Sequence, residues 1–282
     1  MTLDDRNPSA QTRPVNVWTV ASVSLLALIM ISASIAFAVH RTDNDSDSDD
    51  ASPDTATTSA PPVETGEGFQ VPEIDVFGRR VDLPRNPEGQ LREQTSPARS
   101  PGDPDWLTAP PAGLAQAGGW QRVHGAVVPF STSDGPTHVR DGIAASYAHT
   151  PQGAALAAAA SINQVAARPG DRALVAARMV LTPADHAAFN TGIASGKLPV
   201  QQPESVTRTL VASDAFRVES YSADLAVLRL AARAPGEPSG ARSWVTVTVP
   251  MVWHDGDWRI RGNGHQLPTA TVTDLTGWTR WS

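Results

Sequence analysis

The 282-residue chain contains no cysteine. Disulfides, thiolate-held zinc, iron–sulfur clusters and thiol nucleophiles are thereby excluded. The compartment stays open, although a chain without thiols is compatible with an oxidising one. Lysine is almost as scarce: Lys197 stands alone among 22 basic residues, the other 21 being arginine. With abundant alanine, that bias suggests a high-GC genome. Motifs that carry chemistry are missing as well. Seven histidines, at positions 40, 124, 138, 149, 186, 254 and 265, show no paired spacing suited to a metal. There is no glycine-rich phosphate loop and no Gly-x-Ser-x-Gly elbow. With no nucleophile, base or metal set visible, the expectation is a non-enzyme that needs no cofactor and no metal.

The net charge of −7 is unevenly divided. Residues 1–41 carry 3 basic and 2 acidic groups, residues 42–115 carry 5 and 15, and residues 116–282 carry 14 and 12. The acid excess therefore lies in the middle segment, and the last part is close to neutral. No nucleic-acid-binding surface is expected.

Residues 17–39 contain no charge and are rich in Leu, Ile, Val and Ala. At about 1.5 Å per residue this run exceeds the roughly 30 Å hydrocarbon core of a bilayer, so it reads as a transmembrane helix. Trp18 sits at one end, and His40 with Arg41 closes the other. A cleaved signal peptide is the alternative, because Ala36, Phe37 and Ala38 resemble a small-x-small peptidase site. The short leader, residues 1–16, favours an N-terminus inside the cell and the rest of the chain outside, as a single-pass membrane protein.

Residues 40–115 open with Asp43, Asp45, Asp47, Asp49 and Asp50 and continue through 11 prolines with many Ser, Thr and Gly. Large apolar residues are too sparse to offset the entropy of ordering the chain, so an acidic, disordered linker is expected. Two islands, residues 69–81 and 105–107, are apolar enough to dock on something.

Residues 116–268 read as one extracytoplasmic α+β domain, followed by a tail at 269–282. Residues 121–131 predict a short strand. Thr150 is a good N-cap and Pro151 suits the first helical position, so a helix runs to residue 167, where Pro169 and Gly170 stop it. A second helix fits residues 171–181, and Thr182-Pro183-Ala184-Asp185 starts a third that ends near Gly196. The period then changes to two, predicting strands at 207–212, 215–221 and 225–233. The strongest pattern, Val245, Val247, Val249, Met251 and Trp253 alternating with other residues, turns at Asp255-Gly256 and returns through Trp258 and Ile260. A two-residue turn sets Trp253 opposite Trp258. Helices followed by strands imply helices packed on a curved antiparallel sheet. Trp253 and Trp258 are candidates for the lining of an apolar pocket or for core packing. His149 reads as a group that orients a ligand or hydrogen-bonds a backbone, the second favoured, and Asp255, Asp257 and His254 read as turn chemistry. Trp278 and Trp281 in the tail are candidate partner contacts.

The order of leader, span, Pro-rich linker, helices and a meander ending in VWHDGDWRIRG resembles bitopic scaffold subunits of conjugative type IV secretion systems. YAHTPQGAALAAA is similar to a segment of uncharacterised membrane proteins of actinobacterial conjugative elements. The resemblance covers residues 120–268 and implies a cone-shaped, nuclear-transport-factor-two-like domain. It also implies a non-catalytic role in a DNA-transfer apparatus, with the bilayer and other secretion subunits as partners and a homo-oligomer as an option. The alternative is an envelope protein that binds a lipid or other small ligand in the cone.

Overall fold

The computed structural model describes residues 66–234, 242–264 and 266–281. The leader, the span at 17–39 and linker residues 40–65 lie outside the described residues. Among the described residues, no helix is long and apolar enough to cross a membrane.

In chain order the elements are β1 (Glu73–Ile74), β2 (Arg80–Val81), β3 (Trp120–Val123), β4 (Ala126–Pro129), β5 (His138–Arg140), β6 (Ile143–Ala145) and α1 (Pro151–Ala167). There follow α2 (Arg172–Arg178), β7 (Met179–Val180), α3 (Pro183–Ala194) and α4 (Glu204–Thr207). The last are β8 (Ala215–Tyr221), β9 (Leu225–Arg233), β10 (Trp244–His254), β11 (Asp257–Arg261), β12 (Thr269–Val272) and β13 (Thr279–Arg280). The architecture is α+β. Its largest sheet runs β13-β8-β9-β10-β11-β7, antiparallel except for the β11–β7 pair. β12 joins β10 at residues 244–247, on the edge that β11 occupies at residues 251–254.

Helix α1 organises the core. The Thr150 hydroxyl accepts from the Gly153 N–H at 2.9 Å, and Pro151 fills a position whose N–H would have had no partner. Every residue of α1 except Ile162 is buried. A helix covered all round carries little amphipathic pattern, and its alanines let other elements approach closely. It packs against β4, β8, β9, β10 and β11. Gly153 is required there, since a Cβ would stand 2.1 Å from the Ala148 carbonyl oxygen. The capping box at α3 forms as its sequence implies, with Thr182 accepting from Asp185 N and Asp185 accepting from Thr182 N.

Several boundaries are corrected. The single strand expected at 121–131 is a hairpin, because His124 (φ 47°) and Gly125 (φ 83°) both adopt left-handed backbone and turn the chain within two residues. The helix expected to reach residue 181 stops at Arg178, where the next two residues pair with β11. No strand forms at 207–212. Leu210, Val211 and Ala212 are buried in an irregular segment, and the Asn163 side chain donates to the Val211 carbonyl at 3.4 Å in place of a neighbouring strand.

The largest correction concerns residues 66–115, expected to be linker. They wrap the domain. Asp82 N–H donates to Trp120 O at 2.8 Å, and Asp82 O accepts from Arg122 N at 2.9 Å, which joins β2 to β3. Gln121 closes a two-way bond with the Gln90 backbone, and the Arg92 guanidinium caps the Gly113 and Phe130 carbonyls. Val81, Ala109 and Leu114 are buried. The segment has too few apolar groups to fold alone. It is held by polar side chains that take up its backbone groups across the contact, a source of order that composition does not register. Residues 269–281 are likewise no tail, since β12 and β13 are strands of the main sheet.

Candidate functional site

The hairpin of β10 and β11 has the expected register, Trp253 opposite Trp258 and Met251 opposite Ile260. The two indoles meet at 5.3 Å and 70°. Trp258 is fully buried, and its Nε1 donates to the Ala148 carbonyl at 3.0 Å, so it is core. Trp253 is half-buried. His149, exposed, stacks on it at 4.0 Å and 9°. His149 Nε2 meets the Ala223 carbonyl, and the Tyr221 hydroxyl donates to His149 O at 3.0 Å. Burial pushes the Tyr221 hydroxyl up to about 12. Trp106, from the second apolar island, meets Tyr221 edge-on at 5.7 Å. The result is a five-ring cap of Trp106, His149, Tyr221, Trp253 and Trp258 over one end of the sheet.

Beneath it lies an ion pair that sequence inspection missed. Arg178 is completely buried at the end of α2. It donates to Asp257 Oδ2 at 2.7 Å, to Ser161 Oγ at 3.0 Å and to Trp258 O at 2.8 Å. Asp257 also accepts from the backbone N–H of Ser146, Tyr147 and Trp258. Its role exceeds turn chemistry: it ties α2, the 146–147 segment and β11 together. The Tyr147 ring lies 5.4 Å from the guanidinium; its hydroxyl is buried without a partner and is pushed above its ordinary range by that burial. An arginine in a last helical turn and an aspartate after Asp-Gly are each common, so nothing in their spacing marks them as partners.

A second buried carboxylate, Asp134, accepts from Thr150 Oγ1 at 2.6 Å and from Ser133 Oγ at 2.5 Å. Burial raises its carboxyl, and the two hydroxyl bonds partly offset that rise. His124, exposed at the β3–β4 turn near Arg168, is lowered, first by partial desolvation and then by the nearby guanidinium.

The terminal tryptophans fall into different settings. Trp281 is buried, 4.5 Å from the Phe216 ring and 5.8 Å from Trp120, with Nε1 donating to Ser213 Oγ at 2.9 Å. It is a core residue, which corrects the expectation of a partner contact: β13 pairs with β8 and carries its indole inward. Trp278 is half-buried, with the Arg217 and Arg229 guanidiniums 5.5 and 5.2 Å from its ring.

Two cavities bear on binding. A small one of about 70 Å³ lies between α1, the 209–213 segment and β9–β10, lined by Ile162, Leu210, Leu230, Val245 and Val247 among others. It does not reach Trp253 or Trp258. A larger surface cleft of about 680 Å³ separates β1 from the 201–208 segment, with Arg122 and Gly125 between them. Arg122 pairs with Glu73 across one side and donates to Thr207 O at 3.1 Å, while Arg208 pairs with Glu204 at 2.7 Å. Two apolar residues of its lining are exposed, Ile74 at 64% and Val76 at 51%. Among the described residues, no group of three His, Asp or Glu side chains is placed to hold a metal.

No curated protein and no solved structure matches the chain. A family model described as a domain of unknown function, DUF8175, matches residues 82–280. That match starts just after β2, ends one residue before Trp281 and covers well over half of the sequence, so the chain belongs to the DUF8175 family.

Proposed function

We propose that the protein is a non-catalytic assembly subunit, held at the cell membrane by residues 17–39 with its folded domain outside, that works through protein contacts in a conjugative, type IV secretion-like DNA-transfer apparatus. In this proposal the α+β domain is of the cone-shaped, nuclear-transport-factor-two-like kind. The observation that carries the reading is the pair of exposed apolar residues Ile74 and Val76 in the lining of a surface cleft, since clustered apolar exposure marks interaction surfaces. The distribution of polar groups supports it too: Arg178 and Asp257 hold each other and the backbone, and the Asp134 carboxylate is taken up by the Thr150 and Ser133 hydroxyls. The test is crosslinking of the native, detergent-solubilised complex at normal expression, read by mass spectrometry. Recovery of secretion ATPase or channel subunits is expected; stoichiometric lipid without such partners overturns the reading.

The second reading, a ligand-binding envelope protein, draws on the apolar cavity beside α1. At about 70 Å³ that cavity is well below the roughly 300 Å³ at which sites for drug-sized ligands begin. It suits a small apolar group better than a lipid, which favours the assembly reading.

A further inference from the structure

The unpaired edge of β1 has the hydrogen-bonding pattern of a strand acceptor. Asp75 N–H donates to Arg79 O at 2.8 Å and Gln70 N–H donates to Leu83 O at 2.8 Å, so the odd-numbered β2 residues face β1. Glu73 is paired with Val81 and Ile74 with Arg80. Alternation along an antiparallel pair then turns the N–H and C=O of Ile74 away from β2. The far side of β2 is already taken by β3 through Asp82. Among the described residues, no strand and no backbone hydrogen bond occupies the outer edge of β1. That edge, residues 73–76, forms one wall of the cleft of about 680 Å³, and the 201–208 segment forms the other.

From this geometry we infer that the cleft takes an extended segment of a partner polypeptide, added to β1 as a further strand. The inference rests on the assembly reading and names the partner's chemistry. Backbone groups facing outward from Ile74 call for backbone groups in return, which a helix cannot offer because its own are already paired. Ile74 and Val76 are exposed along the same edge and call for apolar side chains on the incoming strand. The three lining carboxylates are each already paired, Glu73 with Arg122, Asp75 with Arg79 and Glu204 with Arg208, so the lining offers no uncompensated charge. The alternate positions of the incoming strand are therefore uncharged and polar.

The test uses the full chain in detergent and a capped heptapeptide of alternating threonine and valine, titrated by fluorescence anisotropy. Two further probes are its threonine–serine counterpart, which lacks the apolar side chains, and a version N-methylated on alternate residues. Saturable binding of the threonine–valine peptide is expected, abolished by N-methylation and absent for the threonine–serine peptide. Ile74→Pro deletes one outward donor without touching the β1–β2 bonds, and an edge strand tolerates proline. It should weaken binding about tenfold, while Ile74→Thr, which keeps the donor, weakens it less. Because the N-methylated peptide probes the unaltered protein, the result stands even where a variant misfolds. No saturable binding, equal binding of the threonine–serine or N-methylated peptide, or indifference to a folded Ile74→Pro variant overturns the inference. So does concentration-dependent self-association that Ile74→Pro removes, which would assign the edge to a second copy of this chain. If native crosslinks to secretion subunits persist while the peptide fails, the strand-acceptor inference falls and the assembly reading stands. If the unaltered chain captures no protein partner, the assembly reading falls whatever the peptide does.

Discussion

At the scale of single residues, the buried charges decide most. Arg178 and Asp257 lie where an uncompensated charge is severely unfavourable, so removing one partner costs more than the pair contributes. Arg178→Met should lower unfolding stability by about 3–5 kcal/mol in urea titrations, and adding Asp257→Asn should recover part of that loss. A double variant as unstable as the sum of the singles would show that the two groups act independently. His124 and Asp134 give opposite pH slopes. The folded state holds the His124 imidazole below its ordinary value near 6.5. Below that value the unfolded chain takes up a proton that the folded chain resists, and stability falls as pH drops through the window. His124→Asn, a residue suited to left-handed backbone, should flatten that acid-side fall. Asp134 is raised in the folded state. The unfolded chain therefore releases its proton first, and the contribution of Asp134 to stability declines as pH rises above the ordinary carboxyl value near 3.9. Asp134→Asn should gain on the unaltered protein as pH rises above about 4. Urea midpoints measured across this range decide both cases.

At the scale of elements, the caps and the two chain-end segments matter most. Thr150 accepts from Gly153 N while donating to Asp134, so Thr150→Ala removes a cap and also strips a buried carboxylate of a donor. A loss of about 1–2 kcal/mol is expected from the cap alone, with Thr150→Ser retaining most of it. The caps of α1 and α3, the extents of β8 and β9 and the β10–β11 register were all legible in the sequence, because each rests on interactions within a few residues. The hairpin at β3–β4 was less so, since His124 rather than glycine or asparagine leads its turn. Residues 207–212 had a strand's composition and are not a strand, because the alternative partner for their carbonyls, Asn163, lies on α1, distant in sequence. Trp281→Ala should cost about 3–5 kcal/mol in thermal or urea unfolding, as expected of a core indole and not of a surface contact.

At the scale of the whole molecule, the folded unit is larger than the acidic composition of residues 42–115 implies. If residues 66–115 are integral to it, the amides of Asp82 and Arg122, which bridge β2 and β3, should exchange hydrogen as slowly as those in the centre of the main sheet. Exchange within the dead time would instead return this segment to linker. Of the candidate residues, Trp253 and Trp258 were legible as a facing pair because hairpin register follows from a two-residue turn. Their split into a buried indole and a His149-stacked one was not, because His149 arrives from before α1. The same limit hid the Arg178–Asp257 pair and the edge of β1.

The sequence by itself determined what short-range physics controls: where helices begin, where strands alternate, how the last hairpin pairs, and that no thiol chemistry is available. Only the tertiary structure decided which residues belong to the folded unit, which tryptophans are core and which strand edge stays open. Those properties depend on backbone and charge partners tens to more than a hundred residues apart. Single-chain composition carries no record of which polar group will meet which across such distances.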